Sequence, residues 1–105
     1  MPGARWRAAA LASALAAGGC EGWGPRTHAV SIRAFQYAPA ELRVAAGDTV
    51  VWTNEDLVPH TATAAGWGTG GIAPRESRRV VIGTPGTHTY LCDFHPGMKA
   101  RVEAE

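Results

Sequence analysis

Between Tyr90 and Met98 the chain carries a thiol, an imidazole and a thioether, on Cys92, His95 and Met98. A Cys thiolate and a Met thioether are soft donors and an imidazole is borderline, so this trio suits copper. Copper sites built for electron transfer add a second imidazole to the same set. His60, in Val58-Pro59-His60-Thr61-Ala62, stands 32 positions before Cys92 and supplies it. Intervals of three separate Cys92, His95 and Met98, and Pro96-Gly97 is expected to turn the chain between the last two, so one loop can fold its donors back to a point. A cysteine is often only a buried core residue, and a lone histidine is more often packed than ligating; here the spacing argues for Cys92 and His95, and the context of His60 argues for it.

These donors need strands to hold them. Thr49 to Asn54 reads as a strand with Val50 and Trp52 on one face, leading directly into the segment that bears His60. Thr87 to Cys92 reads as a second strand ending at the thiol. Two distant loops could then meet at one end of a β-sandwich. Val30, Ile32 and Ala34 alternate with Ser31 and Arg33, and Phe35 and Tyr37 lead toward a turn expected at Ala38-Pro39. Leu42 and Val44 alternate with Glu41 and Arg43; Arg78 to Ile82 and Lys99 to Glu105 read as further strands. Gly83 to Gly86 is a turn, and Gly66 to Gly71 is a glycine-rich loop in which Trp67 is a packing aromatic. No helical period of useful length occurs after the first 20 residues. The expected fold class is all-β, a Greek-key β-sandwich of about 7–8 strands.

From Val30 onward the chain resembles the small cupredoxins of the plastocyanin and amicyanin kind. The matching residues are Gly47-Asp48-Thr49-Val50-Val51-Trp52-Thr53-Asn54, Pro59-His60-Thr61, Pro85-Gly86-Thr87, and Tyr90-x-Cys92-x-x-His95-Pro96-x-Met98. Ligands, spacing and flanking strands agree over about three-quarters of the chain, which makes the match specific. The resemblance implies one type 1 copper ion held by His60, Cys92, His95 and Met98, with Met98 axial. It also implies a Thr61 N–H directed at the Cys92 sulfur and an Asn54 that ties the two ligand loops together. Related proteins usually carry an aromatic residue where His88 stands, so His88 is expected to pack in its stead. His88 shares a strand face with Cys92, but four residues at about 3.3 Å each put roughly 13 Å between them. His28 falls at the start of the first strand and does not compete as a ligand.

The 105 residues allow one domain. Residues 1–19 read as an export signal: Arg5 and Arg7, an apolar run from Ala8 to Ala17, then small residues. The run is roughly half the length of a spanning helix, which needs about 20 residues. Ala17-Gly18-Gly19-Cys20 resembles a bacterial lipobox, implying a membrane tether through a lipidated Cys20; cleavage after Ala14 or Ala16 is the alternative. Arg5-Trp6-Arg7 is not a twin-arginine pair, so export unfolded and metal loading outside the cytoplasm are expected. Residues 20–27 read as a flexible tether and 28–105 as the folded domain. A Cys20 to Cys92 disulfide would destroy the proposed site. Without Arg5 and Arg7, eight basic residues face nine acidic ones. The arginines are dispersed, so nucleic acid is not an expected partner.

The reading is a periplasmic or cell-envelope one-electron carrier, expected to be a monomer, that meets redox protein partners and is not an enzyme. A copper storage or delivery protein is the alternative, yet such sites tend to be exposed and rich in Met or Cys, and this chain has only Met1 and Met98. Four histidines without a His-x-His pair cannot build a multicopper cluster. A zinc enzyme would want another His, Cys or carboxylate in place of Met98.

Overall fold

The computed structural model describes residues 24–105; the expected leader over 1–19 and the expected anchor at Cys20 lie outside the described residues. Eight strands follow in order: β1 (Thr27–Arg33), β2 (Gln36–Ala38), β3 (Glu41–Val44), β4 (Asp48–Asn54), β5 (Thr63–Ala64), β6 (Ser77–Ile82), β7 (Gly86–Cys92) and β8 (His95–Ala104). They form two four-stranded sheets, ordered β2-β1-β4-β6 and β3-β8-β7-β5. β1 runs parallel to β4 and β3 parallel to β8, while the other neighbours are antiparallel. The expected β-sandwich is the fold, and no helix occurs among the described residues.

Alternation decides which side of each strand enters the core. In β4, Asp48, Val50, Trp52 and Asn54 are buried while the residues between them are half-exposed. In β8, Met98, Ala100, Val102 and Ala104 point inward. Strand side chains alternate between faces, so these sets meet across the space between the sheets. Trp52 lies at the middle, its ring edge-on to Tyr90 at 5.5 Å and tilted against Trp67 at 5.4 Å. Trp67 therefore closes one side of the core as a packed loop aromatic, and its indole N–H donates to His88 Nδ1 at 3.1 Å. The other ring nitrogen of His88 lies 2.7 Å from the Thr84 carbonyl, so His88 is the neutral tautomer with its proton on Nε2. It packs beside Trp67, as expected of a residue standing in for an aromatic.

Three local details differ from the sequence reading. An additional turn falls at Ala34-Phe35, where Arg33 pairs with Gln36 and closes a two-residue hairpin loop between β1 and β2; the bend expected at Ala38-Pro39 is present as well and carries the chain from β2 to β3 in the other sheet. The ligand-bearing hairpin turns at Asp93-Phe94, where Cys92 pairs with His95; the departure expected at Pro96-Gly97 is a bulge within β8, since Leu91 pairs next with Lys99 and leaves residues 96–98 unpaired. Asp93 is pinned from outside the hairpin, which fixes the turn there. A short β5 also emerges beside the glycine-rich loop, pairing with Tyr90 and Leu91.

The pole away from the ligand loops has its own fastening. Gly47, at φ 101°, donates its N–H to Ile82 O at 2.7 Å, and this left-handed conformation is cheap only for glycine. The turn presents the Asp48 carboxylate, which accepts from Arg26 N at 2.9 Å, Ala45 N at 3.0 Å and His28 Nε2 at 2.9 Å. His28 is thus an ordered part of β1. The Arg26 N–H, then His28 and the Ala45 N–H, hold the Asp48 carboxyl down at about 2 against its burial.

Candidate metal centre

β4 ends at Asn54, whose buried amide organises the chain beyond it. Its Nδ2 donates to Val58 O at 2.8 Å and Ile72 O at 2.9 Å, and its Oδ1 accepts from Asp56 N at 2.9 Å. Residues 55–59 are thereby folded into a compact loop that returns the chain to the core at His60. The His60 backbone is held on both sides, since its N–H donates to Ile72 O and its carbonyl accepts from Ile72 N. Asn54 accordingly ties the His60 loop to the Ile72 segment and not to the cysteine loop.

The link to the cysteine loop comes from Thr61 and Thr63. Asp93 N donates to Thr61 Oγ1 at 2.9 Å, the two threonine hydroxyls lie 2.9 Å apart, and Thr63 Oγ1 donates to Asp93 Oδ2 at 2.9 Å. The donors run in one direction around a closed ring: Asp93 N–H to Thr61, Thr61 O–H to Thr63, Thr63 O–H back to the Asp93 carboxylate. Thr61 also donates its backbone N–H to Cys92 Sγ at 3.4 Å, and its carbonyl accepts from the Tyr37 hydroxyl. A carboxylate able to close such a ring pins the turn at Asp93-Phe94.

His60 Nδ1 and His95 Nδ1 each lie 3.7 Å from Cys92 Sγ, and the three donor atoms fall within 4.8 Å of one another. Two ligands about 2.0–2.3 Å from a common ion, at trigonal or tetrahedral angles, are separated by roughly 3.3–4.0 Å. The spacing fits a metal. Cys92 is a free, fully buried thiol and His60 is fully buried, while His95 is half-exposed. Met98 is buried three residues along β8, in the same apolar cluster as Cys92. All four residues singled out from the sequence therefore belong to one end of the sandwich, with three of their donor atoms converging.

Two contributors carried no recognisable signal. Asp56 Oδ2 lies 2.8 Å from His60 Nε2, and the same carboxylate accepts from Ala34 N at 2.7 Å and Phe35 N at 2.9 Å. Burial works against its charge, but the Phe35 and Ala34 N–H groups and His60 outweigh that and hold the carboxyl below its ordinary range. The contact puts the His60 proton on Nε2 and leaves Nδ1 free to face the sulfur, which is how a carboxylate orients a ligating histidine. Phe35 sets its ring edge-on to both imidazoles, at 5.1 Å from His60 and 4.8 Å from His95. Asp56 sits in an irregular loop four residues before His60, and Phe35 comes from a different hairpin, so neither has a spacing that reads as a motif. Beneath the site, burial first and then the proximity of Cys92, Tyr90 and Asp93 raise the Tyr37 hydroxyl far above its ordinary value. Burial pushes Tyr90 up to about 12. Both phenols remain neutral, and the wall they form is uncharged.

No family model matches the chain. It is similar to amicyanin-alpha of Methylorubrum extorquens, with 33% identity over 83 residues that cover 72% of this chain and 70% of that one. It is also similar to amicyanin of Paracoccus denitrificans, with 30% identity covering 72% of this chain and 63% of the relative's length. Among solved structures, the Cu(I) form of an amicyanin variant superposes with a TM-score of 0.70 at 29% identity, over 75% of this chain and 82% of that one.

Proposed function

Since the chain belongs to the amicyanin family of cupredoxins, we propose that it is a one-electron carrier whose copper is held by His60, Cys92, His95 and Met98. The observation that carries this reading is the convergence of two imidazole Nδ1 atoms on one buried thiol at 3.7 Å. Copper, when bound there, would supply the Cu(I)/Cu(II) couple. The chain's own residues do the rest. Cys92 gives a thiolate, which a coordinating metal keeps deprotonated, and the Thr61 N–H draws on its charge. Asp56 holds His60 in one tautomer and one orientation. Met98, buried in the same apolar cluster as Cys92, would add a weak soft donor. The Asn54 and Asp93 networks hold both loops in place, and a site that does not rearrange suits rapid electron exchange.

Burial of Cys92 and His60 supports a resident ion over one that is stored and handed on. An export signal over residues 1–19 supports a periplasmic location, and an acylated Cys20 would add a membrane tether; the tether is refuted if the intact mass of the exported protein gives another N-terminus. Addition of Cu(II) to the metal-free protein should give an intense thiolate-to-copper visible band. Cys92→Ser should lose the band and the reversible redox wave while keeping the sandwich folded. A colourless parent that binds Zn(II) tightly would overturn the assignment.

A further inference from the structure

The β1–β2 hairpin turns on two residues, Ala34 and Phe35, at φ 53° and 59°. A two-residue hairpin loop with both central residues left-handed has the hand of a type I′ turn, which favours Asn-Gly or Gly-Gly because other side chains clash with the backbone there. Ala-Phe is a poor sequence for it. Residues held in such backbone conformations persist when the surroundings over-determine them, and they gather at functional sites. Here the surroundings are the candidate centre. Both N–H groups of the turn donate to Asp56, which also holds His60. The Phe35 ring lies edge-on to His60 at 87° and to His95 at 86°. The two imidazoles, 5.3 Å apart and tilted at 58° to each other, thus share one aromatic neighbour. That neighbour is still 48% exposed, so burial of the ring alone accounts poorly for a bulky residue at this position.

We propose that Phe35 is a positioning residue of the centre: its ring sets the rotation of both imidazoles relative to Cys92, so that both Nδ1 atoms face the sulfur. Aromatic contacts of this kind have a preferred edge-to-face geometry and constrain both partners. His60 is additionally fixed by Asp56, whereas half-exposed His95 has no comparable polar partner among the contacts described. The effect of losing the ring should therefore fall mainly on His95.

The inference rests on the metal-binding reading, and a readout on the metal-free protein separates the two. Phe35→Gly removes the ring and relieves the left-handed backbone, so the metal-free fold should be as stable as the parent's or more so. The motions of the imidazole C–H groups, followed by NMR relaxation in the metal-free protein, should nevertheless increase at His95 more than at His60. Cu(I) affinity, measured in competition with a colorimetric Cu(I) chelator, should fall about tenfold, in the range of losses for residues that orient ligands. Phe35→Tyr should restore both, and Phe35→Leu, which keeps apolar bulk without a ring, should restore them only in part. Unchanged imidazole motion in Phe35→Gly overturns the proposal whether or not copper binds. So does unchanged Cu(I) affinity beside a slower partner reaction, which would make the ring a docking surface alone. A parent protein that fails to bind Cu(I) refutes the carrier reading, while the imidazole measurement still decides the role of Phe35.

Discussion

Replacing Asp56 by Asn looks conservative, but three donors converge on this carboxylate: the N–H groups of Ala34 and Phe35 and Nε2–H of His60. Asparagine offers one oxygen and brings two N–H bonds of its own. With that oxygen in the position of Oδ2, Phe35 and His60 keep an acceptor and the new amide N–H groups confront Ala34 N–H. The Ala34 contact is exposed, so water can replace it at a cost of about 1 kcal/mol. The two surviving hydrogen bonds lose the ionic character that makes such bonds roughly twice as strong as neutral ones, another 1–2 kcal/mol or so together. The main chain at residue 56 should stay in place, because Asp56 N still donates to Asn54 Oδ1. Asp56→Asn should therefore cost about 2–3 kcal/mol, which in a domain of this size lowers Tm by about 8–24 °C. The measurement is urea and thermal unfolding of the metal-free protein, since bound metal would mask the change by mass action. Long-range nitrogen–proton NMR should still show His60 with its proton on Nε2, because the asparagine oxygen keeps that acceptor in place. A loss below about 0.5 kcal/mol would refute the idea that this carboxylate organises the loop.

Two further outcomes follow from the opposite pole and from the exposed face. Asp48 has a folded pKa of about 2 against an ordinary 3.8, so its contribution to stability is complete above its unfolded value and drains away as pH falls through the folded one. Subtracting the acid-unfolding profile of Asp48→Asn from that of the parent should leave a difference that shrinks between about pH 4 and pH 2; a difference independent of pH refutes the latch. Phe35, 48% exposed and edge-on to His95, together with Leu57 at 87% and Phe94 at 55% in the two ligand loops, offers exposed apolar side chains of the kind that mark an interaction site. Electron transfer with the physiological partner should then depend little on ionic strength and should slow in Leu57→Asp; a rate falling by orders of magnitude from low to high salt would assign recognition to charge.

The sandwich and its four proposed ligands were legible because they rest on local, repeating signals. Val50 and Trp52 alternate in β4, and Cys92, His95 and Met98 lie so close in sequence that their spacing can be read directly. The Thr61 N–H to Cys92 contact followed from the family resemblance and was found. What escaped notice depends on partners far apart in the chain. Nothing in Ala34-Phe35 announces a left-handed turn, because the favourable contacts lie on Asp56, His60 and His95. Pro96-Gly97 is a strong local turn signal and marks a bulge in β8, but the hairpin itself turns at Asp93, where the hydroxyls of Thr61 and Thr63 meet a carboxylate 30 positions or more away. Asn54 was read as joining the two ligand loops, but a short amide at the end of β4 reaches Val58 and Ile72 instead.

The parallel pairing of β1 with β4 also gives the molecule a direction. Thr27 lies beside Thr49 and Ile32 beside Asn54, so β1 travels toward the candidate centre and its first residue stands at the far pole. Six residue steps along such a strand are about 20 Å. The last residue, Glu105, is at that far pole as well, bonded to Val44 and Ala46. The described chain therefore enters the sandwich at the pole away from His95. Point of entry and apolar rim occupy opposite hemispheres, so a fastening at the first would leave the second open to a redox partner.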